Sequence, residues 1–428
     1  MKFYLTVAWR NIWRNARRSL ITSVAMAVSV ALCMALITLN DGFYELFYDV
    51  LVKQKLGHVQ VQHPAFGKTR AMHDTLKDGD LLIGAIEKLP ETEAVTGRLH
   101  GTVLASAGEK SSGATVVGIE PAREDKVTNG SAQVIEGSYL QGPGKDALVG
   151  TELADELGVG VGGEVFLFTQ AADGSMAYDI YSVAGIYRTG SVILDKGLQV
   201  HISSLQELLV LDGQMHELVV LSSDSTEPGV EGYLDSVSSA LGALPKIEVV
   251  RPGDEGEEGE NDVLLRTWWE TSPQSYELIQ FRDVGTFIFL GIVFFIAGFG
   301  ILNTMLMSVF ERTRELGVLK ALGLRPNRMV LLVIIESVFL SGLAAGLGIL
   351  FGSGLNFLLV EYGIDISGGT GEPMEMMGAL IEPQVKGVVI PSAAATPVVA
   401  LFVISVLASI WPAWRASRLE PVAAIRQE

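Results

Sequence analysis

Residues Val284–Phe310 read VGTFIFLGIVFFIAGFGILNTMLMSVF, and Glu311–Pro326 continue as ERTRELGVLKALGLRP. The first stretch holds no charged residue. It exceeds the roughly 20 residues a helix needs to cross the hydrocarbon core of a bilayer. The second stretch is crowded with charge from its first residue. The step from apolar to charged describes a membrane helix that delivers a short charged element to one aqueous side.

Three further runs share the first pattern: Leu20–Leu39, Met329–Val360 (interrupted only by Glu336) and Thr396–Trp414. The 428 residues are 49% hydrophobic, with a mean hydropathy of +0.36. That value is high for a soluble chain and low for one wholly in lipid, so several spans plus one large aqueous part are expected. The third run outlasts a bilayer crossing and carries Gly342, Gly346, Gly348 and Gly352. Their spacing in fours predicts close approach of a neighbouring helix. The single Cys33 lies in the first run and excludes an internal disulfide framework.

Charge assigns the sides. Segments 1–19, 311–328 and 415–428 sum to +9, whereas 40–283 and 361–395 sum to −26; Glu336 completes the total of −18. Short basic segments stay in the cytoplasm. Both termini and the 311–328 loop are therefore expected inside, with 41–283 and 361–395 outside. The resulting division is a cytoplasmic amphipathic helix at 1–19, spans at 20–40, 284–310, 329–360 and 396–414, an outer domain at 41–283, a cytoplasmic loop at 311–328, an outer loop at 361–395 and a cytoplasmic tail at 415–428. The first span reads as an uncleaved anchor, because its apolar run is too long for a signal peptide and no small-residue cleavage site follows.

Before that span, Trp9, Ile12, Trp13, Ala16 and Leu20 recur on one helical face, with Arg10, Arg14, Arg17 and Arg18 on the other. This pattern predicts a basic amphipathic helix at the inner membrane surface, in contact with lipid. In the outer domain, His58–Gln62, Thr115–Ile119 and Val165–Phe168 alternate as strands do, and Leu81–Leu89 and Leu205–Leu211 read as short helices. The acidic run 251–262 reads as a solvated loop.

A search for catalysis yields no site. The histidines (His58, His63, His73, His100, His201 and His216) form no metal-ligand spacing, and structural or surface roles are expected for them. Gly67-Lys68-Thr69 lacks the glycine that a phosphate-binding loop needs five residues earlier, where Gln62 stands. Neither bound metal nor cofactor is expected, and nothing points to nucleic acid.

Within 311–326, Gly323 is a natural helix stop and Pro326 suits a first helical turn. The second membrane helix is expected to run on into the cytoplasm with Leu316, Leu319 and Leu322 on one side. An amphipathic element so placed can fit a groove on a soluble partner; a solvated turn is the alternative.

This loop, preceded by Asn303-Thr304, resembles the signature of the FtsX-like permease family, the MacB, LolC and LolE type of ABC transporter subunit. The ending Pro412-Ala413-Trp414-Arg415-Ala416-Ser417-Arg418-Leu419-Glu420-Pro421-Val422 and the opening Ala8-Trp9-Arg10-Asn11-Ile12-Trp13-Arg14-Asn15 resemble the same family. Gly57–Val61 and Gly150–Gly163 look most like its lipoprotein-releasing branch. The resemblance implies an α-helical membrane protein with four transmembrane helices plus a large mixed α/β periplasmic domain, built of MacB-like porter and β-rich subdomains. It implies a dimer with a second permease copy or paralogue, and a separate cytoplasmic ABC ATPase dimer holding the ATP and Mg. Coupling to that ATPase would fall to Glu311, Arg312, Arg314, Glu315, Leu316, Gly317, Lys320, Ala321, Leu322, Gly323 and Leu324. The implied place is the bacterial inner membrane, and the implied work is release of lipoproteins to a periplasmic carrier. An acyl path could be lined by Met26, Val30, Met34, Phe294 and Phe295. The alternatives are MacB-type export of peptides, toxins or drugs with an adaptor and outer-membrane channel, and FtsX-like activation of a cell-wall hydrolase.

Overall fold

The computed structural model describes residues 2–14, 16–189, 192–253, 262–366, 374–376, 379–381, 384–418 and 420. Most of the acidic run, Asn15 of the opening motif, and Leu419, Pro421 and Val422 of the ending lie outside the described residues, as does the side chain of Ile12.

In chain order the helices are α1 (Lys2–Arg14), α2 (Ala16–Tyr48), α3 (Phe66–Thr69), α4 (Gly79–Ile86), α5 (Pro121–Thr128), α6 (Thr151–Leu157), α7 (Val192–Asp195), α8 (Ile202–Leu209), α9 (Glu227–Gly242), α10 (Trp268–Thr271), α11 (Pro273–Glu311), α12 (Thr313–Ala321), α13 (Pro326–Tyr362) and α14 (Pro391–Ser417). Four of them (α2, α11, α13 and α14) are long and apolar enough to cross a membrane. Each extends beyond its apolar run, α2 to Tyr48 and α11 back to Pro273. The chain divides into two compact units, one of residues 1–45, 278–366 and 384–428, the other of 46–277 and 367–383.

In the first unit the four long helices bury a shared apolar core. Met26, Val30 and Met34 of α2 meet Leu290, Phe294 and Ile301 of α11, Leu340 and Ala344 of α13, and Leu401 of α14. Of the glycines in α13, Gly348 and Gly352 are the close-packing pair: a Cβ at Gly348 would stand 2.7 Å from the Val30 Cβ, and one at Gly352 2.7 Å from the Met34 sulfur. Gly342 and Gly346 face open space. Buried hydroxyls and amides add cross-helix hydrogen bonds: Thr22 with Thr304, Asn40 to Thr286, and Asn356 to Thr38. With no aqueous competitor, such pairs contribute about 0.6–2 kcal/mol each.

The second unit begins with a π-helical stretch, Asp49–Leu56, ended by Gly57 at φ +69°. Eleven strands follow in one sheet: β1 (Val59–Gln62), β2 (Thr92–Ala107), β3 (Lys110–Ile119), β4 (Val134–Gly137), β5 (Asp146–Gly150), β6 (Glu164–Gln170), β7 (Met176–Tyr187), β8 (Gly197–His201), β9 (Glu217–Ser222), β10 (Glu248–Val250) and β11 (Asp262–Thr267). The order is β10-β11-β1-β9-β2-β3-β8-β5-β7-β4, with β6 bridging β2 and β7. The expected porter-like and β-rich parts thus share continuous hydrogen bonding. Strand β6 alternates fully: Val165, Leu167 and Thr169 are buried while Phe166 and Phe168 face out. Strand β9 is buried on both faces, Leu218 and Val220 in the main core and Val219 and Leu221 against Ala94 and Val127. That double burial is why its sequence, ELVVLS, is a continuous apolar run rather than an alternating one.

Candidate functional site

The charged loop is organised differently from a simple continuation of the second membrane helix. The α-helix stops at Glu311, and Arg312 leaves helical geometry at φ −112°, ψ 13°. The break lets the Arg312 guanidinium turn back onto α13, where Nη1 donates to the Glu336 carboxylate at 2.9 Å. Ser308 donates to the same carboxylate. Both charged side chains are almost wholly buried, with about a tenth of each exposed. The lone acid of the third span is thereby explained as the counter-ion of the loop.

α12 then runs from Thr313 to Ala321 as a separate helix. Gly323, at φ +92°, reverses the chain, and Arg325 in extended geometry precedes Pro326 at the first turn of α13. Leu316 and Gly317 are buried, Leu316 in a cluster with Val309, Met329, Val333, Ala413 and Ala416. Lys320 Nζ donates to the Ser417 carbonyl at 2.9 Å, tying the helix to the end of α14. The three leucines do not share one fate: Leu316 is buried, Leu319 is half-buried, and Leu322 is 79% exposed. The outward face instead carries Val318, Ala321 and Leu322, bordered by Arg314, Glu315, Gly323 and Arg325; Leu324 packs back against the buried cluster.

Two ion pairs join this element to the N-terminal segment. Arg14 Nη1 stands 2.6 Å from Glu315 Oε1, and Arg18 Nη1 2.8 Å from Glu311 Oε2. Arg312 also reaches Glu315, at 3.4 Å. Partial desolvation raises the Glu315 carboxyl, but Arg14 and Arg312 outweigh it and hold the group below its ordinary value. On α1, Ala8 is buried, whereas Trp9 and Trp13 are about half exposed and meet edge to face. Trp9 also touches the Phe339 ring of α13. Arg10 and Arg17 are exposed.

The five residues named for an acyl path are not brought together in an open groove. Met26, Val30, Met34 and Phe294 are packed in the interhelical core, while Phe295 points outward, 66% exposed.

A constellation with no local signature lies in the outer unit. Strands β2 and β9 pair Arg98 with Glu217, and α5 brings Glu124 to the same guanidinium at 2.8 Å. Arg98 also donates to the Lys55 carbonyl at the end of the π-helical stretch. His100 lies 3.1 Å from Glu217. Burial raises the Glu217 carboxyl, but His100 and Arg98 prevail and bring it down to about 2. His216 accepts from the His100 backbone N–H, contacts the Met72 carbonyl and stacks on Phe66; burial lowers it to about 4. From Arg98 to Glu217 the cluster's residues are scattered over some 120 positions and meet through strand register and the packing of α5 on the sheet.

Comparison with known proteins fits this arrangement. Residues 287–421 match the FtsX-like permease C-terminal family, and residues 19–234, half of the chain, match the MacB-like periplasmic core domain. The lipoprotein-releasing system transmembrane protein LolC of Xylella fastidiosa (strain 9a5c) is 25% identical over 335 residues, 75% of each chain. LolC of Neisseria meningitidis serogroup B is 25% identical over 346 residues, 76% of each. The macrolide export ATP-binding/permease protein MacB of Syntrophobacter fumaroxidans is 32% identical over 136 residues, 31% of this chain but 16% of that one. Among solved structures, the periplasmic region of MacB from Actinobacillus actinomycetemcomitans aligns with a TM-score of 0.37 and 16% identity, covering 52% of this chain and 94% of its own. With its four candidate membrane helices and large mixed α/β domain, the chain belongs to the FtsX-like permeases with a MacB-like periplasmic core, the membrane subunits of ABC transporters.

Proposed function

We propose that this permease couples ATP hydrolysis by a separate cytoplasmic ATPase to movement of its outer unit, and that the movement releases lipoproteins from the inner membrane. The observation that carries the coupling is α12, a short helix pinned from behind by Leu316, Lys320 and the Arg312–Glu336 pair, with Val318 and Leu322 left outward. A rigid helix with an apolar tip and a charged rim is the shape that fits a groove on a partner. The charge asymmetry supports cytoplasmic termini and a cytoplasmic α12. The ATP and Mg belong, on this reading, to the partner ATPase, and a second copy or paralogue of this chain completes the dimer. Release of lipoproteins is favoured by the length shared with the LolC relatives, three quarters of both chains. Export through an adaptor and outer-membrane channel is the second reading, favoured by the higher local identity to MacB.

The test is affinity capture of the tagged chain from its native membrane, with identification of proteins and acylated peptides. An ATPase with acylated lipoproteins supports release. An ATPase with an adaptor and outer-membrane channel replaces it with export, and capture of no ATPase overturns the coupling reading. A companion variant, Val318→Glu with Leu322→Glu, is expected to lose at least tenfold of the co-captured ATPase while inserting normally. These two positions suit the purpose because both side chains are exposed.

A further inference from the structure

The N-terminal segment carries more cationic charge than its protein contacts use. Arg14 and Arg18 are paired with the coupling element, but among the described residues Arg10 and Arg17 have no acidic partner. Arg10 and Arg14 are one turn apart, so the unpaired and paired cations form one strip beside the exposed Trp9 and Trp13. Aromatic rings with a polar edge settle at the headgroup level of a bilayer, and arginines beside them meet headgroup phosphates.

We propose that this strip binds anionic phospholipid headgroups of the inner leaflet, and that those headgroups compete with Glu315 for Arg14, so that membrane charge sets how firmly α12 is tied to the N-terminal helix. The two Arg–Glu pairs differ in the way this requires. Arg14 and Glu315 are each about half exposed, whereas Arg18 and Glu311 are 27% and 35% exposed. A half-exposed ion pair and the attraction of one arginine to an anionic membrane surface are of the same order. Lipid composition can therefore tip the outer pair while the Arg18–Glu311 pair remains as a hinge. Once Arg14 leaves, Glu315 keeps Arg312 as its cation, so no carboxylate is stranded. A zwitterionic surface offers Arg14 no net charge, and the pair with Glu315 stays closed. This inference uses the coupling reading only for its consequence; the lipid response belongs to the chain alone.

The experiment places spin labels at Thr6→Cys and Ala321→Cys, in a Cys33→Ala background, and measures their separation with no ATPase present. The full chain is reconstituted in nanodiscs of phosphatidylcholine, or of phosphatidylcholine and phosphatidylglycerol in equal parts. The expected result is one narrow distance population in the zwitterionic discs and a second, longer one in the anionic discs. Glu315→Gln should show the longer population in both lipids. Arg10→Gln with Arg17→Gln should suppress it in anionic discs, and Arg10→Lys with Arg17→Lys should restore it, which separates loss of charge from loss of folding. Identical distributions in the two lipids overturn the proposal. So does a Glu315→Gln protein that stays narrow, or an Arg10→Gln/Arg17→Gln protein that responds like the parent. Loss of ATPase capture with an intact lipid response would fault the coupling reading and leave this one standing.

Discussion

Individual positions separate residues that merely suit a membrane helix from those that a contact demands. Gly348 and Gly352 have α2 side chains within 2.7 Å of where a Cβ would sit, and Gly342 and Gly346 have nothing there. Gly348→Ala is therefore expected to cost about 1–3 kcal/mol through overpacking, against under about 0.5 kcal/mol for Gly342→Ala. Thermal melts in detergent would decide it, and equal shifts would refute the packing assignment. The spacing in fours was legible for both pairs, but spacing cannot tell which turn of the helix meets a neighbour. In the outer unit, the buried ionisable groups set an acid response. His216, lowered by burial from 6.5 to about 4, is held neutral; the unfolded chain takes up its proton first, so its contribution is complete above the ordinary histidine value and erodes as pH falls from about 6.5 to 4. Glu217, lowered to about 2 by His100 and Arg98 against the burial that opposes them, stabilises above its ordinary value and loses this between about 4.5 and 2. Urea midpoints should accordingly fall in two stages on acidification, and His216→Gln should flatten the upper one.

Among the elements, the coupling helix teaches most about what a sequence conveys. Its stop at Gly323 and the restart at Pro326 followed from residue type alone. The break at Arg312 did not, because its cause is Glu336, twenty-four positions away on another helix. That pair is buried, so removing one partner strands a charge. Arg312→Met or Glu336→Met alone is expected to destabilise by about 3–5 kcal/mol, and the double variant to regain most of the loss. A double-mutant cycle on melting temperature measures this, and additive losses would show that the two groups do not act as a pair. The strands tell the same story in reverse. The alternating text Val165–Phe168 announced β6, because one buried face imposes a period of two, and His58–Gln62 announced β1 although both of its faces are buried, Gln60 and Gln62 included. The Arg98, Glu124, Glu217 and His100 cluster gave no sign, since cross-strand register and the seat of α5 on the sheet are set by the whole domain and have no local spelling.

For the molecule as a whole, charge was the most informative quantity. The segments expected outside sum to −26 and those expected inside to +9, a contrast that the net −18 hides. It leads to a labelling prediction: a cysteine at the exposed Leu322 should react with a membrane-impermeant reagent only after cells are opened, and one at the exposed Asp173 should react in cells whose outer barrier alone is breached. The reverse pattern would invert the topology. The substrate was beyond the sequence for a physical reason, since apolar side chains in a membrane helix look alike whether they meet lipid, another helix or a cargo. Met26, Val30, Met34 and Phe294 prove to be helix contacts here. The π-helical stretch Asp49–Leu56 carries a last consequence. A π-turn holds an extra residue compared with an α-turn, so this stretch packs one more residue into the chain ahead of the first strand than an α-helix would. Deleting one residue within it would let the backbone relax to ordinary α pitch and draw in the chain that ends at Gly57. The chain could still make every local element, yet the Lys55 carbonyl would leave the place where it accepts from Arg98. Helical wavelength, as much as any side chain, sets where that carbonyl meets the buried guanidinium.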